Sequence, residues 1–220
     1  MSATEQSSID DAKVEGTAAV AVVVVSLSAG GLTPLRHLIR GLSSNFPAAI
    51  VIAQHVREFT VLPEILAFDT TMPVSLAHSG MMLRPARIYV CPGQKHVIVN
   101  PDATLSVSAR GPVRFFRPNA DWLFESAAAS FRDQTFAVVL SGFKNDAARG
   151  ATAVQAVGGT VIVQAPETCD RPEMPIAAIA TGSVHHILVP GEIAPKLEAL
   201  LKRIDVCRCR SAWENPFSES

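Results

Sequence analysis

Four stretches of this chain are apolar almost from end to end and rich in β-branched residues: VAVVVV at 20–25, AIVIAQ at 49–54, FAVVL at 136–140 and TVIVQ at 160–164. A strand with one wet face alternates apolar and polar residues, whereas a run without alternation is buried on both faces. Around these runs lie segments with helical spacing: LTPLRHLIRGL, NADWLFESAAASFRD, AARGATAVQAVGG and GEIAPKLEALLKRI. Strand–helix alternation repeated this often predicts an α/β fold, a mostly parallel, doubly wound sheet with helices on both faces. Shorter strands are predicted at PVSLA, RIYVC and HHILVP, and shorter helices at FTVLPEILAFD and MPIAAIATG. HVIVN and TLSVS flank Pro101-Asp102 and read as a small β-hairpin off the main sheet. Asn119 is the expected N-cap of the NADWLFESAAASFRD helix, and Pro34 fits a first helical turn.

The boundaries follow from where this pattern starts and stops. Residues 1–17 read as a flexible tail, 18–204 as one domain without internal repeat or linker, and 205–220 as a C-terminal tail without periodicity. Nineteen basic residues face 20 acidic ones, a net charge of −1 that lacks the basic surplus of a nucleic-acid binder. The N-terminal MSATEQSSIDDAKVEG is polar and mildly acidic, the reverse of an export signal. The apolar run behind it is broken at Ser26 and Ser28 and falls short of the roughly 20 residues that span a bilayer. No membrane insertion is expected, and the location expected is cytoplasmic. Cys91, Cys169, Cys207 and Cys209 lack zinc or thioredoxin spacing and read as free thiols of a reducing compartment. His37, His78 and His96 have no metal-ligand partners at suitable spacing, and His185 and His186 point to opposite faces of a strand. No metal or cofactor is expected.

In an open parallel sheet, sites form beyond the carboxyl ends of the strands. The first buried strand ends at Ser26 and Ser28, the second at Gln54 and His55, and FAVVL runs into Ser141, Lys144, Asn145 and Asp146. A serine, a histidine and an aspartate thus reach one edge. A serine hydroxyl is a poor nucleophile without a base, His55 is the natural base, and Asp146 would orient it. Backbone N–H groups at the Gly30-Gly31 turn or in Ser-Gly-Phe (141–143) would supply an oxyanion hole. Each residue also has an ordinary reading: Ser28 as a helix cap or part of a tight turn, His55 as a polar loop residue, Asp146 as the N-cap of the helix after it. A phosphate cradle at Gly30-Gly31 lacks both the G-x-G-x-x-G and the P-loop spacing.

At these residues the chain resembles the catalytic domain of the bacterial chemotaxis protein-glutamate methylesterases, the CheB family. Ser-Leu-Ser-Ala-Gly-Gly (26–31) is similar to the family's Gly-Ala-Ser-Thr-Gly-Gly elbow, and Gln54-His55 matches its QH. CPGQKH (91–96), RPNADWLFESAA (117–128), SGFKNDAARG (141–150) and Met174-Pro175 follow in family order. The resemblance implies Ser28 as nucleophile, His55 as base and Asp146 as orienting acid. It implies oxyanion donors at the backbone of Phe143 and Ala29, and Arg117 and Met174 as candidate substrate contacts, although a solvated face explains Arg117 as well. The implied reaction is hydrolysis of glutamate methyl esters on the cytoplasmic helices of chemoreceptors, with glutamine deamidation in some members and no cofactor.

The departures from the family pattern are local. Ser26, Leu27 and Ala29 replace Gly, Ala and Thr in the elbow, Phe143 replaces a methionine, and Lys144 and Ala147 replace two glycines near the acid. A positive φ at either of those two positions would strain the loop by about 1–3 kcal/mol. Family members usually carry a receiver domain ahead of this one, and seventeen or so residues precede the first strand here. A response regulator acting in trans is therefore an expected partner. The alternative reading is a member with impaired catalysis that serves as a binding module.

Overall fold

The computed structural model describes residues 18–56, 59–111 and 118–213. Seven strands form one parallel sheet in the order β3-β4-β2-β1-β7-β8-β9. They are β1 (Val22–Leu27), β2 (Ala49–Gln54), β3 (Val74–Leu76), β4 (Arg87–Val90), β7 (Thr135–Val139), β8 (Thr160–Gln164) and β9 (His186–Leu188). β5 (His96–Val99) and β6 (Leu105–Ser108) pair antiparallel as the separate hairpin expected from sequence. The helices are α1 (Leu32–Arg40), α2 (Leu62–Ala67), α3 (Ala120–Phe131), α4 (Ala148–Ala156), α5 (Glu173–Ala180) and α6 (Pro190–Trp213). α6 runs on past Asp205, where the apolar period ends; no Gly or Pro interrupts that stretch, so nothing local stops the helix. Among the described residues no helix is long and apolar enough to cross a membrane.

β1 shows why the apolar runs do not alternate. All six of its residues are buried, and they divide between two cores. Val22 and Val24 join Phe124 and Ala127 of α3, Ala151 of α4 and Met174 of α5. Val23, Val25 and Leu27 join Leu35 and Leu38 of α1 and Leu197 of α6. Burying a Val or Leu side chain is worth roughly 1.5–3 kcal/mol, so either layer alone contributes heavily to stability. The hairpin covers α3, with the Val99 N–H donating to Ser126 Oγ at 3.0 Å and Ser130 Oγ donating to the Val99 carbonyl at 3.0 Å. Asn119 caps α3 as expected, its side chain accepting from the Trp122 N–H at 3.1 Å.

The strand order sets the position of the site. From β1 the chain crosses by α1 to β2, and from β7 it crosses by α4 to β8, in opposite directions along the sheet. α1 and α4 pack on opposite faces, so β1 and β7 flank the point where the winding of the chain reverses, and sites in such sheets form beyond the strand ends at that point.

Candidate active site

Leu27 and Gln54, the last residues of β1 and β2, are register partners, and the His55 N–H donates to the Leu27 carbonyl at 3.0 Å. Ser28 and His55 therefore leave adjacent strands side by side, at a strand spacing of about 4.8 Å. On the other flank of β1 the Ser28 N–H donates to the Ser141 carbonyl at 3.0 Å. The sharp turn after Ser28 depends on Gly30, whose φ is +78° and where a Cβ would stand 2.5 Å from Asp170 Cβ. The N-cap of α1 is Gly31, without a side-chain cap bond, so Ser28 is not the helix cap that its position also allowed. Among the described residues the Ser28 hydroxyl makes no hydrogen bond.

His55 is tied to Asp146: its Nε2 lies 2.7 Å from Asp146 Oδ2, and its side chain is 13% exposed while that of Asp146 is fully buried. Asp146 does not cap the helix that follows it. The N-cap of α4 is Ala147, and the Asp146 carboxylate turns instead to the start of α3. It accepts from the Ala120 N–H at 2.7 Å, the Asp121 N–H at 3.2 Å and Asn119 Nδ2 at 2.9 Å. The Ala147 N–H, at 3.1 Å, also donates to it. With Asn119 taking the Trp122 N–H, the N–H groups of Ala120, Asp121 and Trp122 at the start of α3 are satisfied, and the positive end of its dipole rests on the carboxylate. Local sequence could place Asn119 as a cap. It could not show that an aspartate 26 residues from Ala120 completes the capping.

The loop that carries Asp146 is strained as the glycine replacements suggested. Lys144 has φ +67° and Ala147 φ +77°, left-handed values for residues that carry a Cβ. Lys144 is exposed, so Lys144→Gly is expected to raise unfolding stability by about 1 kcal/mol, measured by denaturant titration. A loss of stability would mean that the lysine's contacts outweigh the strain.

Asp121, the second residue of α3, is a second buried carboxylate, and its Oδ1 accepts from the Gly150 N–H of α4 at 2.8 Å. Burial pushes its pKa up; the Gly150 hydrogen bond opposes this and the Asp146 charge adds to it. The folded state therefore binds this proton more tightly than the unfolded chain does. Stability contributed here is present at low pH and is lost as pH rises from the ordinary carboxylate value of about 3.9 through the raised folded value. Asp121→Asn, which can still accept from Gly150, is expected to remove that falling component. It should leave the protein at least as stable as wild type at neutral pH, as read by denaturation at several pH values. A variant with an unchanged pH dependence would contradict this.

The Gly142 position fixes the remaining wall. A Cβ there would stand 2.2 Å from Met174 Sδ and 2.8 Å from Ser28 Cβ. Met174 is fully buried, a wall behind Gly142 and Ser28 rather than part of the exposed surface of the site. Gly142→Ala is expected to displace Ser28 and to cost about a hundredfold in turnover with the fold retained, since shifts near 1 Å in reacting groups cost that much. Wild-type kinetics in that variant would show that the wall yields. Ser141 clamps the turn: its hydroxyl donates to the Ala29 carbonyl at 2.9 Å and accepts from the Arg171 N–H at 3.0 Å, and its N–H donates to Gln164 Oε1 at 3.0 Å. Neither the role of Ser141 nor that of Gln164 was visible in sequence, because both bonds join strand ends distant along the chain.

Among the described residues, the N–H groups of Ala29 and Phe143 donate to no protein acceptor, whereas that of Gly142 donates to the Arg171 carbonyl at 2.9 Å. The two backbone donors expected at an oxyanion hole are thus without a protein acceptor among the described residues. Arg117 lies outside the described residues. Cys169, close in sequence to this clamp, has its thiol pushed up to about 11, by burial first and then by Glu167 and Asp170, and stays protonated at neutral pH. Among the described residues no cluster of three or more His, Cys, Asp or Glu could hold a metal ion.

The chain is similar to known proteins over most of its length. The family model described as CheB methylesterase matches residues 23–197. The chain is 31% identical over 188 residues to the protein-glutamate methylesterase FrzG of Myxococcus xanthus, covering 84% of this chain and 55% of FrzG. It is 36% identical over 185 residues to protein-glutamate methylesterase/protein-glutamine glutaminase 2 of Burkholderia lata, covering 83% of this chain and 54% of that protein. The chain thus spans about half the length of these two relatives. The crystal structure of the Thermotoga maritima CheB methylesterase catalytic domain superposes with a TM-score of 0.78 at 31% identity, covering 85% of this chain and all of that one.

Proposed function

The chain belongs to the CheB methylesterase family, and from that premise we propose that it is a serine hydrolase that removes methyl groups from glutamate methyl esters on the cytoplasmic helices of chemoreceptors. Deamidation of glutamine side chains in the same helices is the companion activity, in keeping with the double name of the Burkholderia lata relative. The observation that supports this most is the hydrogen bond of 2.7 Å between His55 and the buried Asp146 at the strand end beside Ser28. A cytoplasmic location follows from such a substrate.

In the reaction proposed, Ser28 Oγ attacks the ester carbonyl carbon while His55 takes the hydroxyl proton. Asp146, held by the start of α3, fixes the imidazole and stabilises the imidazolium as it forms. The carbonyl oxygen becomes an oxyanion and is met by the N–H groups of Ala29 and Phe143, each such donor being worth about 3–4 kcal/mol in the transition state. The C–O bond to the methoxy group then breaks, His55 returns the proton and methanol leaves. Water, deprotonated by His55, attacks the acyl-serine and releases the glutamate carboxylate and Ser28. Ser28 and His55 are not hydrogen-bonded to one another in the free protein; contacts of this kind commonly tighten only with substrate bound.

The experiment is labelling with a fluorophosphonate, followed by intact mass. One adduct on wild type, lost in Ser28→Ala and strongly slowed in His55→Ala, supports the reading. A folded wild type that takes up no label favours the binding module, for which the strain at Lys144 and Ala147 is the motivating observation.

A further inference from the structure

A cation stands at the rim of this site that the chemistry above does not use. After β8 the chain passes through a 3-10 turn, Pro166–Thr168, and returns to the exit of β7. There Arg171 is pinned by its backbone: its N–H donates to Ser141 Oγ at 3.0 Å and its carbonyl accepts the Gly142 N–H at 2.9 Å. Its side chain is exposed, and the guanidinium carbon lies 4.6 Å from the centroid of the Phe143 ring, itself 42% exposed. A guanidinium over a ring face is held by the ring's negative quadrupole, so this long side chain is restrained where it would otherwise be free.

Among the described residues Arg171 forms no ion pair, although Asp170 and Glu173 are near it in sequence. Asp170 stands beside Gly30, its Oδ2 3.0 Å from where a Cβ there would lie, and Glu173 opens α5. Phe143 is also the residue whose N–H the proposed reaction uses as an oxyanion donor. Arg171 and Phe143 thus stand at the exit of β7 beside Gly142, where a Cβ would lie 2.8 Å from Ser28 Cβ. A planar, two-pronged donor in that position matches a carboxylate, which it can bind through two parallel hydrogen bonds.

We propose that Arg171 is a specificity residue whose guanidinium pairs with a carboxylate of the substrate polypeptide flanking the esterified glutamate, so that acidic segments are demethylated in preference to neutral ones. This inference rests on the esterase reading given above.

The test uses two peptides of equal length, each with a single γ-methylglutamate, flanked by Glu in one and by Gln in the other. Wild type should favour the acidic peptide in kcat/KM. In Arg171→Ala the acidic-to-neutral ratio should fall roughly tenfold, mostly through KM, in line with the loss of one charge-assisted contact. Arg171→Lys should restore part of the ratio and Arg171→Glu should drive it below that of Arg171→Ala, with thermal melts confirming that each variant is folded. A ratio unchanged in Arg171→Ala overturns the proposal. Fluorescence anisotropy with the corresponding demethylated peptides separates the two readings. A wild type that hydrolyses neither peptide defeats the esterase assignment, and Arg171 is then judged by binding alone. Tighter binding of the acidic peptide that is lost in Arg171→Ala supports it, and equal affinities overturn it.

Discussion

Ser28→Ala is expected to lower the hydrolysis of a γ-methylglutamyl peptide by several powers of ten and to leave the stability of the protein within about 0.5 kcal/mol of wild type. The two halves of this expectation come from the same observations. Ser28 is partly buried on the turn after β1, and among the described residues its hydroxyl takes part in no hydrogen bond, so removing it leaves no buried partner unsatisfied. If the hydroxyl is the nucleophile, its loss removes the covalent route altogether. What remains is binding and the oxyanion donors, which in triad enzymes sustain a residual rate only about 10³–10⁴ above water. The measurement is single-turnover methanol release alongside a denaturant titration. A variant that keeps a tenth or more of wild-type turnover would remove Ser28 from the reaction. One that loses stability by several kcal/mol would give the hydroxyl a structural purpose that this structure does not contain.

Asp146→Ala is expected to damage both activity and fold. The carboxylate accepts from His55, Asn119, Ala120, Asp121 and Ala147. Buried donors left without a partner cost about 1–3 kcal/mol each, and partial rehydration of the gap recovers some of that. A net loss of about 3–5 kcal/mol follows, a large part of the stability of an ordinary domain. Asp146→Asn separates the two effects. It fills the same space but sets an NH2 group against a ring of donors, so it is not isosteric in hydrogen bonding. It should lose turnover on the order of 10⁴-fold, as expected when the orienting carboxylate of a triad is neutralised, while costing less stability than the alanine. Denaturation and kinetics on the two variants read this directly. Should Asp146→Asn retain near-wild-type turnover, the hydrogen bond to His55 would be structural only.

The sheet was legible because its strands advertise burial on both faces. VVVVSL carries no alternation, and in the structure its odd and even positions feed two different cores. The site was legible at the level of strand ends: Ser28 and His55 follow register partners, a relation that a parallel sheet enforces once β1 and β2 are neighbours. The contacts between elements distant in the chain were not legible. Asp146 looked like the cap of its own helix and instead completes the capping of α3, because the crossover from β7 brings the two helix starts together. The clamp from Ser141 to Gln164 and Arg171 likewise joins the exits of β7 and β8. Local pattern carries no information about such partners. The strain at Lys144 and Ala147 lies between these cases. Sequence showed that glycines had been replaced, and only the backbone shows that both residues hold the left-handed conformation.

Methanol release from membranes that carry methylated receptors tests the proposed hydrolysis of glutamate methyl esters most directly. Wild type is expected to release methanol at a rate proportional to enzyme, and Ser28→Ala to release none. No release by a folded wild type, with the same membranes demethylated by an active methylesterase as control, would contradict it.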